Sequence, residues 1–125
     1  MKIDKLKNYL FLNNNVLFGY LFGSYSKNEQ TISSDIDIAL YLKDTSLDNK
    51  LQINYELSKL LRKDVDLVIL NEIKNIYLLD DILRNSNIIK DDDERVDFEL
   101  IKEHEILDYK AFRRYIDDIQ KQKTL

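Results

Sequence analysis

The chain has 125 residues, of which 44% are hydrophobic and 34% charged, as expected of one soluble globular domain with a buried core. The absence of cysteine excludes disulfides and thiolate metal sites, and the net charge of −4 argues mildly against a nucleic-acid-binding module. No apolar run is long enough to cross a membrane and no signal-type segment opens the chain, so we expect residues 1–125 to form a single cytoplasmic domain without a membrane partner.

The spacing of apolar residues predicts four elements in the first part of the chain. Residues 3–12 have a helical spacing, and residues 16–22 form a continuous apolar run typical of a buried strand. A short helix is predicted over residues 25–29, followed by a second strand over residues 35–42.

The second part continues with alternating helices and strands. A helix is predicted over 47–61, a strand over 65–70, a helix over 72–84, a short edge strand at 88–89 and a long helix over 94–122. The long helix should bury one apolar stripe, which consists of Phe98, Ile101, Tyr109, Phe112, Ile116 and Ile119. This order predicts an α/β (α+β) domain with a small mixed sheet flanked by helices.

Two aspartates lie one residue apart in the second predicted strand. Asp35 and Asp37 should share one face of the strand, while Ile36 and Ile38 face the core. Two neighbouring carboxylates repel each other unless a proton or a cation lies between them, and Mg²⁺ is the cation that prefers such oxygen ligands. Taken alone, the pair would more often be two exposed acids on an edge strand than a metal site.

A Gly-Ser pair follows the first predicted strand. Backbone N–H groups at such a strand-to-helix turn can bind phosphate, Gly23 allows close approach, and Ser24 adds a hydroxyl donor. Lys27 could add positive charge one turn later. Alone, the pair would indicate only a turn with an N-cap serine. Together with Asp35 and Asp37, it predicts one site for a metal-bound triphosphate.

The third predicted strand offers a further carboxylate. Asp64 and Asp66 share a face, and either could complete the site. We favour Asp66, because a carboxylate embedded between Val65 and Leu67 has the greater need of a partner. Its predicted role is to help hold the metal and to accept the proton of an attacking hydroxyl. The alternative is that both acids merely begin the strand.

The spacing of these residues is similar to that of a known family. Gly23-Ser24, ten intervening residues and Asp35-Ile36-Asp37 resemble the signature of the polymerase-beta-like nucleotidyltransferases. The fuller stretch, including Ser34, resembles the minimal nucleotidyltransferases, specifically the MntA-type antitoxins paired with HEPN-domain toxins.

This resemblance implies a reaction and a set of site residues. It implies transfer of AMP from ATP to a tyrosine hydroxyl of a HEPN toxin, itself an RNase, with release of pyrophosphate and with two Mg²⁺ ions. The implied metal and catalytic residues are Asp35, Asp37 and Asp66, and the implied nucleotide-binding residues are Gly23, Ser24, Lys27 and Ser34.

Three positions depart from the usual pattern of that family. Ser26 stands where Ala is common, Lys27 where Arg is common and Asn28 where Gly is common. We expect the turn to survive, because Asn tolerates the left-handed backbone conformation. Lys27 keeps the positive charge but lacks the bidentate fork of Arg.

The sequence also suggests positions for two further residues and one acidic segment. Tyr25, directly after Ser24, is expected to line the nucleotide pocket or the acceptor entrance. His104, the only histidine, is expected to be a surface or helix-packing residue. The acidic run 91–94 is expected to be a solvated turn that favours the start of the long helix.

Two other functions compete with the protein-modifying enzyme. A small-molecule nucleotidyltransferase usually carries a further C-terminal domain, which we do not expect in a chain of 125 residues. A non-catalytic antitoxin would neutralise its toxin by occlusion, which does not require all three of Asp35, Asp37 and Asp66.

Overall fold

The computed structural model describes residues 3–31 and 34–123. In chain order the elements are α1 Ile3–Leu12, β1 Val16–Phe22, β2 Ile36–Leu42, α2 Leu47–Leu61, β3 Val65–Ile69, α3 Ile76–Arg84, β4 Asn87–Lys90 and α4 Asp93–Lys123. Short 3₁₀ turns follow β1 and β3, at Gly23–Tyr25 and Leu70–Glu72. The α/β class, the four strands and the long final helix are therefore confirmed for this part of the chain.

The strands within the described residues form one mixed sheet in the order β3-β2-β1-β4. β1 pairs antiparallel with both β2 and β4, whereas β2 and β3 run parallel. Parallel strands need a crossover connection, and α2 supplies it between β2 and β3. The predicted edge strand at 88–89 is confirmed as part of β4.

The sheet separates two apolar layers. Alternate residues of β2 divide between them, as period-two alternation requires. Ile36, Ile38 and Leu40 pack in the layer that contains residues of α1 and α2. Ala39 packs in the layer that contains residues of α3 and α4. Asp37 has the same strand parity as Ala39, so it belongs to the α3–α4 face.

Two predicted helices begin differently in the structure. The helix predicted over 72–84 starts only at Ile76, because the Asn75 side chain accepts hydrogen bonds from the N–H groups of Tyr77 and Leu78 and so caps it there. The helix predicted over 25–29 is instead a 3₁₀ turn over Gly23–Tyr25, followed by hydrogen-bonded turn residues.

The predicted apolar stripe of α4 is buried only in part. Phe98 is buried as expected, but the second buried residue of α4 is Ile106, which lies outside the predicted stripe. Ile101 and Phe112, both members of the stripe, are 59% and 58% exposed. The helix is longer than the body of the protein against which it packs, so a continuous stripe does not imply continuous burial.

Of the helices formed by residues 3–31 and 34–123, none combines the length and hydropathy that crossing a bilayer requires.

Candidate active site

Three chain segments that carry predicted site residues meet at one edge of the sheet. β1 ends at this edge and β2 and β3 begin there, because β1 is antiparallel to β2 and β2 is parallel to β3. In the register, Phe22 is paired with Asp37, and Asp37 is paired with Asp66. The turn after β1 and the predicted carboxylates therefore lie side by side, although they are separated by up to about 40 positions in the sequence.

The carboxylates of Asp37 and Asp66 are in direct contact. Burial is the largest cause that raises the pKa of the half-buried Asp37, followed by the charge of Asp66, a hydrogen bond with the Asp66 side chain and the charge of Asp35. Asp35 and Asp66 themselves are exposed. A carboxylate whose charged form is disfavoured in this way gains from either a proton or a cation.

Of the two alternatives for the third carboxylate, the geometry favours Asp66. Asp64 lies before β3, and its backbone oxygen accepts a hydrogen bond of 3.0 Å from the N–H of Ile36. Its side chain is exposed and is not among the groups that shift the pKa of Asp37. Asp66 alone of the two is therefore brought against Asp37.

Gly23 lies directly against the carboxylate of Asp37. It has a φ of +71°, in the left-handed region that favours glycine, and a Cβ built on it would collide with Oδ2 of Asp37. The sequence suggested that a side chain here would block a phosphate. The structure shows a reason that applies even without a ligand, because any side chain would displace the carboxylate.

The turn after Gly23 is held by hydrogen bonds that the sequence did not reveal. The oxygen of Ser24 accepts from the N–H groups of Lys27 and Glu29, at 3.3 and 2.9 Å. The hydroxyl of Ser26 lies 2.8 Å from the oxygen of Gly23 and 3.0 Å from that of Asn85, at the end of α3. Asn28 has a φ of 55°, which confirms the expected left-handed conformation. Ser26, a departure from the family pattern, thus anchors the turn to α3.

The remaining nucleotide-binding candidates have different surroundings. The Ser24 side chain is half-exposed, and its hydroxyl makes no hydrogen bond to another residue of the described chain. Lys27 is exposed on the turn. The hydroxyl of Ser34 accepts a hydrogen bond of 2.8 Å from the N–H of Thr31, so it holds the loop in front of Asp35. With respect to the described residues, Ser24 and Lys27 are thus free to meet a ligand, whereas Ser34 already has a structural partner.

The expectation for Tyr25 is wrong. Its side chain is only 8% exposed and packs in the core layer with Leu21 and Ile36. The ammonium group of Lys63 lies 5.8 Å from the centre of its ring. Tyr25 therefore packs the turn against the core, near the start of β3. It does not line a pocket. His104 is exposed on α4, as expected.

The chemistry of the donors at this edge, but not their present spacing, suits a hard divalent cation. Asp35, Asp37 and Asp66 supply only carboxylate oxygens, and their mutual repulsion is what a bound cation would relieve. Among residues 3–31 and 34–123, no three side chains of ligating type converge closely enough to enclose an ion. The fit therefore depends on the Asp37–Asp66 pair, with Asp35 beside it.

An open cleft of about 650 Å³ lies elsewhere on the molecule. Tyr41, Asn71, Phe98 and Lys102 are among the residues that line it, and none of the three carboxylates does. Tyr41 is four residues along β2 from Asp37, so the cleft is at the opposite end of that strand. The candidate active site is thus an open sheet edge rather than this cleft.

Comparison with known proteins gives one family match and related solved structures. The family model described as polymerase beta nucleotidyltransferase matches residues 4–95. The protein adenylyltransferase MntA of Shewanella oneidensis is 51% identical over 51 residues, which are 39% of this chain and 36% of that protein. The match spans 36% of the length of this relative and 60% of that of a putative protein adenylyltransferase of Methanocaldococcus jannaschii.

Two solved structures resemble nearly the whole chain. A toxin–antitoxin crystal structure with AMP-PNP contains a chain that is 26% identical, with a TM-score of 0.74 and full coverage of both chains. A complex of a tri-AMPylated Shewanella oneidensis HEPN toxin with an MNT antitoxin contains a chain that is 25% identical, with a TM-score of 0.69 and coverage of 95% and 98%.

Proposed function

Because the chain belongs to the polymerase beta nucleotidyltransferase family, we propose that it is an antitoxin that transfers AMP from ATP to a tyrosine hydroxyl of a HEPN-domain toxin. Pyrophosphate is released and the modified toxin is neutralised. The observation that carries this proposal is the contact of Asp37 with Asp66 beside the Gly23-Ser24 turn, at one open edge of the sheet. The complexes with AMP-PNP and with an AMPylated toxin support the nucleotide and the class of partner.

The three carboxylates have distinct proposed roles. Asp35, Asp37 and Asp66 would hold Mg²⁺, as two ions when ATP is bound, and the metal would neutralise charge on the triphosphate. Asp66 is the exposed member of the contacting pair, so it can also meet an incoming hydroxyl. It accepts the proton as the hydroxyl oxygen forms a bond to the α-phosphorus. The bond from the α-phosphorus to the bridging oxygen breaks, and pyrophosphate leaves.

The Gly-Ser turn binds and orients the nucleotide in this proposal. Ser24 donates its hydroxyl to a phosphate oxygen, and Lys27 attracts the triphosphate from its exposed position. Gly23 keeps the turn close to Asp37, so that phosphates and carboxylates face one another. Ser34 contributes by holding the loop that precedes Asp35.

The decisive experiment compares two neighbouring acids on one strand. Purified toxin is incubated with ATP, Mg²⁺ and either the wild-type chain, Asp66→Asn or Asp64→Asn, and its mass is measured. We expect the mass of one or more AMP residues with wild type and with Asp64→Asn. With Asp66→Asn we expect a rate lower by about 10²-fold or more, the usual effect of losing a general base.

A second readout separates catalysis from occlusion. If a chain carrying both Asp37→Asn and Asp66→Asn protects cells from the toxin as well as wild type does, with no mass added to the toxin, the protein acts by binding alone. Equal transfer by Asp66→Asn and Asp64→Asn would instead show that the base has been assigned to the wrong residue.

A further inference from the structure

The last part of α4 extends beyond the body of the protein. Near this part α4 meets α3 through the Lys110–Asp80 ion pair of 2.8 Å and the edge-on contact of the Tyr77 and Tyr109 rings, and the charges of Arg113 and Asp117 still act on Tyr77. From 111 to 123, all of which the structure describes, no residue is buried. These 13 residues, here called the overhang, extend for about 20 Å at the helical rise of 1.5 Å per residue.

The overhang carries an apolar face that no other element within residues 3–31 and 34–123 buries. Phe112, Tyr115, Ile116 and Ile119 have the spacing i, i+3, i+4, i+7, which places them on one side of a helix. Phe112 and Tyr115 are 58% and 62% exposed, and the two isoleucines are half-exposed. A continuous apolar face on a projecting helix is typical of an interaction surface.

When the sequence of this face is reversed, its apolar positions stay the same and its charged positions change sign. Residues 112–119 are Phe-Arg-Arg-Tyr-Ile-Asp-Asp-Ile, so reversing the order keeps the apolar positions and exchanges basic residues for acidic ones. Two such helices placed antiparallel, with a two-fold axis between positions 115 and 116, would each meet a complementary surface. Phe112 would face Ile119 of the second copy, Arg113 would face its Asp118, and Arg114 would face its Asp117.

We infer that the overhang pairs with the overhang of a second copy of this chain. The contact is isologous, since every pair of facing residues occurs twice about the axis. Asp108 and Lys123 would extend the opposite-charge pairing by one turn at each end. Parallel pairing along the whole of α4 is disfavoured, because it would set residues 93–108, with seven acidic and two basic residues, against the same segment of the second copy.

Charge pairs within one helix explain only part of this pattern. Arg113 and Asp117 form an i,i+4 pair at 3.9 Å in which both side chains are about half exposed. Such exposed pairs contribute only a few tenths of a kcal/mol to helix stability. They account for the charged residues but not for the two apolar residues between them and the two that flank them.

The proposed dimer leaves the carboxylate edge open. The overhang departs beside Tyr77, in the first turn of α3, whereas Asn85 at the far end of α3 contacts the Gly-Ser turn. Because the contact is short, the buried area should be small and the affinity micromolar rather than nanomolar.

Charge exchange tests this inference with the full chain. The acidic variant carries Arg113→Asp and Arg114→Asp, and the basic variant carries Asp117→Arg and Asp118→Arg. In sedimentation equilibrium at about 100 µM and low salt, we expect twice the chain mass of 14.9 kDa for wild type and a single chain mass for each variant. An equimolar mixture of the two variants should recover the doubled mass, which pairs within one helix cannot explain.

Two further variants complete the test. Lys5→Asp with Lys7→Asp, on exposed positions of α1, changes the net charge as much as the acidic variant and should leave the doubled mass unchanged. Phe112→Ser removes an apolar contact without changing charge and should weaken self-association at least tenfold. Circular dichroism checks that each variant keeps its helix content.

Three outcomes would overturn the inference. One is a wild-type chain that stays at a single chain mass at this concentration. Another is a variant mixture that fails to associate while wild type is dimeric, which would place the dimer contact elsewhere. The third is a monomeric wild type whose overhang variants lose toxin binding, which would make this face a toxin-docking surface.

Discussion

The two ends of the β2–β3 strand pair differ in how well their polar groups are satisfied. At the end of β2, the Asn71 side chain accepts a hydrogen bond from the N–H of Leu42 and donates one to its oxygen, both at 2.9 Å. Nearby, the ring of Tyr41 stacks on that of Phe18, with 4.9 Å between ring centres. At the start of the same strands, Asp37 and Asp66 place two like charges in contact.

This difference indicates which end serves stability and which serves a ligand. Buried backbone groups with ideal partners stabilise the fold, while neighbouring carboxylates destabilise it until a proton or cation binds. A chain selected only for stability would replace one of the two aspartates. The repulsion is therefore a property of the site, and the paired groups at the other end help to keep the strands in register despite it.

The largest effect is expected at Gly23. Gly23→Ala places a Cβ against Oδ2 of Asp37 and forces a side chain into the left-handed region, so the carboxylate must move. We expect AMP transfer to fall by about 10²-fold, as is usual for a displacement of about 1 Å in a site. Stability should fall by about 1–2 kcal/mol. Transfer rates measure the first effect, and unfolding curves in denaturant measure the second.

A matched control lies in the same turn. Asn28→Gly occupies a left-handed position without altering the carboxylates, so it should preserve the rate and leave stability equal or slightly higher. Equal losses in Gly23→Ala and Asn28→Gly would mean that the conformation of the turn matters and the contact with Asp37 does not.

The next largest effect is expected on stability, at the end of the β2–β3 strand pair where Asn71 binds the backbone of Leu42. Asn71→Ala leaves the buried backbone N–H and oxygen of Leu42 without side-chain partners and should lower the free energy of unfolding by about 2 kcal/mol. Asn71→Asp keeps the acceptor for the N–H of Leu42 but sets a carboxylate oxygen against the Leu42 oxygen, so its loss should be at least as large. Transfer per folded molecule should not change in either variant. A rate loss larger than the unfolded fraction would connect this end to catalysis.

A smaller effect is expected on the affinity for ATP when Mg²⁺ is removed. Asp35, Asp37 and Asp66 should repel a bare triphosphate, so we expect ATP to bind at least about tenfold more weakly in EDTA than in Mg²⁺. Isothermal titration calorimetry under the two conditions measures this. The difference should shrink in Asp37→Asn, and equal affinity with and without Mg²⁺ in wild type would refute the metal assignment.

The smallest effect that we expect is a gain in the free energy of unfolding of Asp37→Asn when no ligand is bound. The pKa of Asp37 is raised above its ordinary value of 3.8, so the folded state binds a proton more tightly than the unfolded state. Its stabilising contribution is present at low pH and is lost as the pH rises through the raised pKa. In EDTA, Asp37→Asn should therefore be more stable than wild type at pH 7, by no more than about 1 kcal/mol for such a partly exposed group.

The pH dependence of that gain is its check. Unfolding free energies of wild type and Asp37→Asn should converge as the pH falls through the raised pKa of Asp37, because wild-type Asp37 then becomes protonated. A difference that stays constant from pH 4 to pH 7 would show that the effect comes from packing and not from charge.

The sequence predicted most elements because their signals are local. The apolar run of β1, the alternation in β2 and the helical spacing of α2 each depend on neighbouring residues, and these elements begin and end within one residue of the prediction. The start of α3 was predicted four residues early, because the apolar spacing continues through the 3₁₀ turn at Leu70–Glu72 and does not reveal the Asn75 cap.

The candidate site was predicted as a set of residues but not as an arrangement. The sequence could not distinguish Asp64 from Asp66 by more than a strand argument, and it placed Tyr25 at a pocket where the structure has it in the core. The choice between Asp64 and Asp66 depends on the register of β3 against β2, and the place of Tyr25 depends on how the turn packs. Neither can be derived from a short stretch of sequence.

By itself the sequence determined the residue types and their spacing: a Gly-Ser turn, carboxylates two apart on one strand and a reversible charge pattern near the C-terminus. The tertiary structure alone decided that Asp37 is paired with Asp66, that Gly23 leaves room for the Asp37 carboxylate, and that α4 extends beyond its supporting helices. The physical reason is distance along the chain. Periodicity and turn chemistry act over a few residues, whereas strand pairing and burial join residues tens of positions apart.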